Sequence, residues 1–289
     1  MKKSLIALAV LAASGAAMAQ SSVTLFGIVD TAVGYVDNAN AAGDSVYGLT
    51  TSGNATSRLG FRGVEDLGGG LKAGFWLEGE IFGDDGNAAG FNFTRRSTVS
   101  LMGGFGEVRM GRELTPSYSK TSSYDLFGQV GIGQFMGWTG NWYGIDGDSG
   151  NALRSSNMIS YYTPNFSGFT AGLGYGFDEQ TTGKAGRYIG GYAAYDNGPL
   201  SVALSYDERN VAANFDRNTF TVAGSYNMNV VKLNAIVQQT KDDRVAGDRK
   251  VNAYALGASA PVGAGEVKLQ YAMYDQKAID SKAHQLSLG

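Results

Sequence analysis

The feature that most constrains this chain is the sorting of its connections. Runs of alternating apolar and polar residues are joined by short Gly/Asn/Pro turns and longer polar loops, which take turns along the sequence. Short connectors stand at 65–70, 103–106, 164–165, 196–199, 227–229 and 261–265. Period 2 is the repeat of a β-strand, whose side chains point to opposite sides in succession. A soluble sandwich also alternates, but it has no reason to gather short turns at one end and long loops at the other. A sheet that crosses a lipid layer up and down does. Runs of about 9 to 12 residues also match the length of a tilted strand that spans hydrocarbon.

The hairpin at 58–77 displays the unit. Leu59, Phe61 and Gly63 share one parity, Arg58 and Arg62 the other. In its second arm Leu71, Ala73, Phe75 and Leu77 alternate with Lys72, Gly74, Trp76 and Glu78. The glycines of the turn at 65–70 supply the positive φ that tight turns need. Further strands are predicted over 22–36, 71–82, 91–102, 107–112, 154–163, 169–177, 187–195, 200–206, 219–226, 231–239, 251–260 and 266–274. Residues 284–289 read as a strand only begun, and 37–56 as a long polar loop. The first run is not cleanly two-faced: Leu25, Val29, Val33 and Tyr35 lie on one side, Phe26 and Ile28 on the other.

That pattern predicts an all-β fold, a transmembrane antiparallel up-and-down β-barrel. Single-chain bacterial barrels have even strand numbers, and an open edge in lipid leaves backbone groups unpaired. The expectation is therefore 16 strands in the intact protein, wide enough for an aqueous channel, with this chain truncated at its C-terminus. Residues 113–153 interrupt the rhythm. A loop of that length implies a task, and its Phe127, Phe135, Trp138, Trp142 and Tyr143 imply packing against something.

Residues 1–19 read as a secretion signal. Lys2 and Lys3 precede an apolar run from Leu5 to Ala13, and Ala17-Met18-Ala19 is a small-x-small cleavage site, so the barrel domain begins at 20 or 21. No later stretch of 18 apolar residues occurs, which excludes α-helical spans. Formal net charge is −3; without Lys2 and Lys3 the 23 basic residues become 21 against 26 acidic, net −5. That balance gives no sign of a nucleic-acid partner. Gly 43 is about twice the usual share and fits tight turns and crowded sheet faces.

Catalytic material is scarce. There is no cysteine, and His284 is the one histidine, so thiol nucleophiles, thiolate metal sites and a placed base are missing. No cofactor or metal is expected. Asp146-Gly147-Asp148-Ser149-Gly150-Asn151 resembles the opening of a calcium loop, but Gly150 stands at a ligand position and the distal Glu is absent.

Arginines carry more information. Arg58 and Arg62, with Lys72, sit on the polar parity; Arg154 sits where the long loop returns to the wall. Arg95 and Arg96 are adjacent, so within a strand they point to opposite sides and only one faces a lumen. Arginine is costly against lipid and cheap in a wet lumen, where it keeps its charge at any working pH. Several around a narrow passage attract anions. The alternative is internal ion pairing with Glu78, Glu80 and Glu107, which leaves little net field.

Three segments carry a family resemblance: S-S-V-T-L-F-G-I-V-D at 21–30, S-R-L-G-F-R-G-V-E-D-L-G-G-G-L-K-A at 57–73, and N-M-I-S-Y-Y-T-P-N-F-S-G-F at 157–169. With Gly111-Arg112, they resemble the trimeric general porins of Gram-negative bacteria, specifically anion-selective porins of β-proteobacteria. The resemblance covers nearly the whole chain. It implies a homotrimer in the outer membrane whose third external loop, here 113–153, folds into the pore. It also implies three constriction arginines, which by position fall on Arg58, Arg95 and Arg154; Arg62, Lys72, Glu78 and Glu80 are further lumen candidates. The function expected is passive diffusion of small hydrophilic solutes with preference for anions, including small organic acids. The rivals are an outer-membrane barrel enzyme, such as a lipid hydrolase, and a structural or adhesive barrel.

Overall fold

The computed structural model describes residues 22–86, 92–138, 153–212, 215–243, 249–277 and 280–289. The predicted signal at 1–19, the calcium-like loop at 146–151, Trp142 and Tyr143 lie outside the described residues.

Sixteen strands appear in chain order: β1 (Ser22–Ile28), β2 (Thr31–Val36), β3 (Val46–Thr51), β4 (Arg58–Gly68), β5 (Leu71–Glu80), β6 (Arg96–Gly103), β7 (Gly106–Leu114), β8 (Arg154–Tyr162), β9 (Phe169–Gly176), β10 (Tyr188–Asn197), β11 (Leu200–Ala212), β12 (Phe215–Asn227), β13 (Lys232–Asp242), β14 (Arg249–Val262), β15 (Gly265–Gln276) and β16 (Ser281–Leu288). Helix α1 (Pro116–Thr121) and a 3-10 turn (Ser122–Tyr124) follow β7. Fourteen strands form one antiparallel up-and-down barrel wall in the order β1-β4-β5 and onward to β16, and β2-β3 form a separate ribbon.

The ribbon extends the first hairpin. β1 and β4 pair from Ser22↔Val64 to Ile28↔Arg58, and β2 and β3 pair from Thr31↔Thr51 to Val36↔Val46. Between the two, the Asp30 carboxylate accepts backbone N–H groups of Gly53 at 2.8 Å, Asn54 at 3.1 Å and Ala55 at 2.8 Å. The predicted polar loop at 37–56 thus contains β3. Its V-Y-G-L-T-T alternates only weakly, because both faces of the ribbon are exposed and no core selects one.

Inside and outside are reversed relative to a soluble protein. Directly opposed residues share a face, so the register sorts every strand. Leu59, Phe61, Leu77, Phe75, Val99 and Leu101 fall on one face and are exposed or half-exposed, as are Leu173, Leu204, Val237 and Leu256 farther round. The opposite face carries Ser160, Ser205, Thr221, Asn234 and Gln238, all buried. An exposed apolar band on a single sheet with a polar interior is a wall facing lipid. Leu71, Phe169 and Leu173 point outward and Arg58 inward, as the alternation predicts. Phe26 explains the untidy first strand. It faces inward and meets the Trp76 ring edge-on at 5.0 Å.

Candidate pore and its arginines

The long connection after β7 packs against the inner wall. Its boundary differs from the predicted 113: β7 continues through Leu114, and Glu113 is a buried wall residue. Glu113 keeps the inner parity of Glu107 and Arg109, and meets Arg109 at 2.9 Å and the Ser160 hydroxyl at 2.7 Å. The ladder with β8 shifts between Gly111 and Glu113, with the extra residue on β8.

Pro116 at the first turn starts α1, where a missing N–H costs nothing. The helix lies along β9 to β12. Ser117 Oγ donates to Asp207 of β11 at 2.8 Å and lies 3.0 Å from the Tyr188 hydroxyl; Lys120 Nζ meets Asp196 at 2.8 Å. Beyond the helix, Asn234 donates to the Tyr124 carbonyl, and Met136 N–H donates to Tyr274 Oη, both within 2.9 Å. Gln285 of β16 donates to the carbonyls of Ile132 and Gln134. Burying the loop's Tyr124, Phe135 and Trp138 against Ile236, Ala253, Ala255 and Tyr274 supplies the apolar part, about 1.5–3 kcal/mol for each large side chain. At Gly131 a Cβ would sit 2.5 Å from the Gly53 carbonyl, so the loop reaches the segment held by Asp30.

Facing this loop is the charged cluster. Glu78 on β5 accepts Arg95 Nε at 2.7 Å and the Trp76 indole N–H at 3.0 Å, with Arg58 Nε 3.8 Å away. Arg154 Nε donates to the Arg95 carbonyl at 2.9 Å, and Arg209 donates to the Arg154 carbonyl at 3.1 Å. Arg154 makes no ion pair among the described residues. Two of the predicted arginines, Arg58 and Arg95, therefore share one carboxylate, and the third, Arg154, is tied to the Arg95 backbone. Tyr118 of α1 lies near Arg154 and Arg95; burial pushes its hydroxyl well above the usual tyrosine range, against the pull of both guanidiniums. It stays neutral beside them.

One prediction is corrected. Arg95 and Arg96 do not divide between the two faces; both reach the inner side. β6 begins at Arg96, so Arg95 precedes the strand and strand alternation does not govern it. Arg95 binds Glu78, while Arg96 stacks over Trp76 at 4.6 Å and lies 3.8 Å from Glu113. Of the strand predicted from 91, residue 91 lies outside the described residues, and 92–95 precede β6.

Among the further lumen candidates, Arg62 rests on the rings of Phe26 (5.3 Å) and Trp76 (5.0 Å). Lys72 shares the inner parity opposite Asp66 and Met102, and Glu80 stands opposite Arg58. Sequence reasoning missed Arg96, Arg109 and Glu113 as a second inner cluster, in which Arg109 also meets Glu107 at 2.8 Å. The parity of Arg109 with Glu107 in V-R-M-G-R-E was the available signal. His284, outside on β16, lies with Nδ1 2.6 Å from the Tyr271 hydroxyl and stacks on that ring at 6.0 Å.

Comparison with known proteins agrees with this geometry. The family model described as Gram-negative porin matches residues 5–289. Outer membrane porin protein 32 of Delftia acidovorans is 68% identical over 298 residues, spanning 100% of this chain and 84% of the relative. An outer membrane porin protein of Bordetella pertussis is 35% identical over 352 residues, spanning 100% of this chain and 90% of the relative. Among solved structures, the anion-selective porin from Comamonas acidovorans aligns with TM-score 0.87 and 64% identity over 93% of this chain and 83% of that one. Salmonella typhi OmpF, at 20% identity and TM-score 0.68 over 92% and 85% of the two chains, shares the fold.

Proposed function

Since the chain belongs to the Gram-negative porin family and is an outer-membrane channel rather than an enzyme, we propose that its pore prefers small anions, small organic acids among them. The observation that carries this reading is the clustering of Arg58, Arg95 and Arg154: Arg58 and Arg95 share the single carboxylate of Glu78, and Arg154 binds the Arg95 backbone carbonyl without an ion pair among the described residues. Glu80, opposite Arg58, leaves the group with one net positive charge. These three arginines are the proposed constriction, with Arg62 and Lys72 continuing the basic lining and Glu78 and Glu80 tempering it. Charge at a narrow, low-dielectric passage acts on an ion at close range, whereas exposed acids in outer loops are screened beyond about 10 Å at 0.1 M salt. Placement therefore outweighs the negative total.

The Comamonas acidovorans porin, with which this chain shares 64% identity, is anion-selective, and that likeness supports the same reading. We further propose a homotrimer embedded in outer-membrane lipid, as the family resemblance implies, with the mature domain starting at 20 or 21. No step of covalent chemistry is involved. Solutes diffuse through a wet lumen narrowed by the loop that follows β7, of which 115–138 is described, and biased by arginine charge.

Proteoliposome swelling tests the solute class. The wild-type channel should admit a small monocarboxylate faster than a neutral sugar of equal size, and Arg58→Gln with Arg95→Gln should remove most of that advantage. Equal loss of both rates in the variant would mean that the arginines shape the pore without selecting its solute.

A further inference from the structure

We propose that the inner wall of β4 to β7 holds a subsite, separate from the arginine constriction, that takes an aromatic carboxylate. A cavity of about 320 Å³ opens there, lined among others by Arg62, Gly74, Trp76, Arg96, Met102 and Arg109. Arg62 stands four residues from Arg58 along β4, toward the short turn at 65–70, about 13 Å of strand away. Trp76, opposite Arg62, marks the boundary between the two places, since its indole N–H goes to Glu78 at 3.0 Å. The cavity exists because position 74 is glycine. A Cβ there would lie 2.8 Å from Ser100 Oγ and 3.0 Å from Met102 Cε.

The three arginines of the cavity are not equivalent. Arg109 bonds through all its guanidinium nitrogens, Nε and Nη2 to Glu107 at 2.8 Å and Nη1 to Glu113 at 2.9 Å. Arg96 donates to Thr98 Oγ1 at 3.0 Å and lies 3.8 Å from Glu113. Arg62 has no hydrogen bond or ion pair among the described residues, and rests only on the rings of Phe26 and Trp76. Three cations against Glu107 and Glu113 leave one positive charge. That charge falls to the guanidinium whose N–H edges are open, and such an edge matches a carboxylate as a two-bond fork. The rest of the lining selects the body of the acid. Arg96 and Arg109, their edges engaged, present faces instead; each already lies over a ring, Trp76 at 4.6 Å and Tyr162 at 4.3 Å. A flat aromatic ring is attracted by guanidinium faces and by the Met102 thioether at its edge. A saturated acid of equal size gains neither attraction, and an inorganic anion leaves Trp76 and Met102 in water.

The subsite rests on the anion-preferring reading of the pore only in that the acid must enter the lumen, and the test separates the two. Ligand-observed NMR titrations on the detergent-solubilised channel give Kd for benzoate, cyclohexanecarboxylate and acetate. The wild type should bind benzoate about tenfold more tightly than either saturated acid. Gly74→Val fills the floor without changing charge; it should abolish that advantage and leave the chloride-to-potassium permeability ratio as in the wild type. Should that variant fail to fold, Arg62→Lys keeps the charge and loses the fork, and should weaken benzoate about threefold. Arg58→Gln with Arg95→Gln should keep the benzoate advantage even as ion selectivity falls. Equal Kd for the three acids in the wild type would overturn the proposal, as would an unchanged benzoate advantage in Gly74→Val or Arg62→Lys. Loss of the advantage in the Arg58 and Arg95 variant would also overturn it, by moving the bound acid to the constriction.

Discussion

The two halves of the inner wall are built from different residues. From β4 to β8 the lumen side carries Arg58, Arg62, Lys72, Arg96 and Arg109 with Glu78, Glu107 and Glu113. From β10 to β15 the same parity carries Ala194, Ala203, Ala223, Ala253, Ala255 and Ala272, all buried. The difference is one of occupancy. Alanines leave space into which Phe135, Trp138 and Tyr124 of the long loop fit, while the charged half stays long-sided and wet. The loop is therefore seated on the alanine side, and the passage proposed above lies beside the arginines. The interior of this barrel is long charged side chains on one side and, on the other, alanines at the seat of the loop, with Arg209, Arg217 and Asp242 buried in the same wall nearer its far end.

The sharpest way to break that comparison is to remove the anchor on the alanine side. Phe135 is fully buried, with its ring 5.0 Å from that of Trp138 and 5.6 Å from that of Tyr274. Phe135→Ala should cost the docked loop about 3–5 kcal/mol. The measurable result is rapid protease cleavage within 125–138 in intact membranes, together with raised conductance. Retained protection would show that hydrogen bonds such as Met136 N–H to Tyr274 hold the loop without the ring.

On the charged half the expected effect is smaller. Glu78→Gln removes the carboxylate that joins Arg58 to Arg95, a loss of about 1.5–3 kcal/mol for charged hydrogen bonds. It should lower the thermal midpoint modestly and raise the chloride-to-potassium permeability ratio, since the guanidiniums of Arg58 and Arg95 lose their counter-charge. A lowered ratio would mean that Glu78 chiefly positions the arginines and that their charge acts only when held.

Much of the wall was legible because lipid and water sort side chains by parity: Leu71, Phe75, Phe169 and Leu173 on one face, Arg58 and Lys72 on the other. The turns were legible too, since glycine and asparagine at 196–199 and 227–229 have few other uses. Less visible was whatever depended on distant partners. The β2-β3 ribbon has no buried face to leave a pattern, and the Asp30 clamp joins residues more than twenty positions apart. Arg95 was misjudged because it lies one residue outside its strand, where the chain bends inward. The strand at 251–260 was legible, but only the loop seated on its alanines gives their small size a meaning. The site arginines were legible as a set, through the family resemblance and parity together, but the contact of Arg58 and Arg95 with Glu78 was not.

The central claim is that a few arginines at the narrow passage set selectivity against the sign of the whole chain. The most direct measurement is the zero-current potential of single channels in a potassium chloride gradient, for the wild type and for Arg58→Gln with Arg95→Gln. The account predicts anion selectivity in the wild type and a large fall in the chloride-to-potassium permeability ratio in the variant, with the barrel still folded. Cation selectivity in the wild type would contradict the account outright, and an unchanged potential in the variant would contradict its choice of residues.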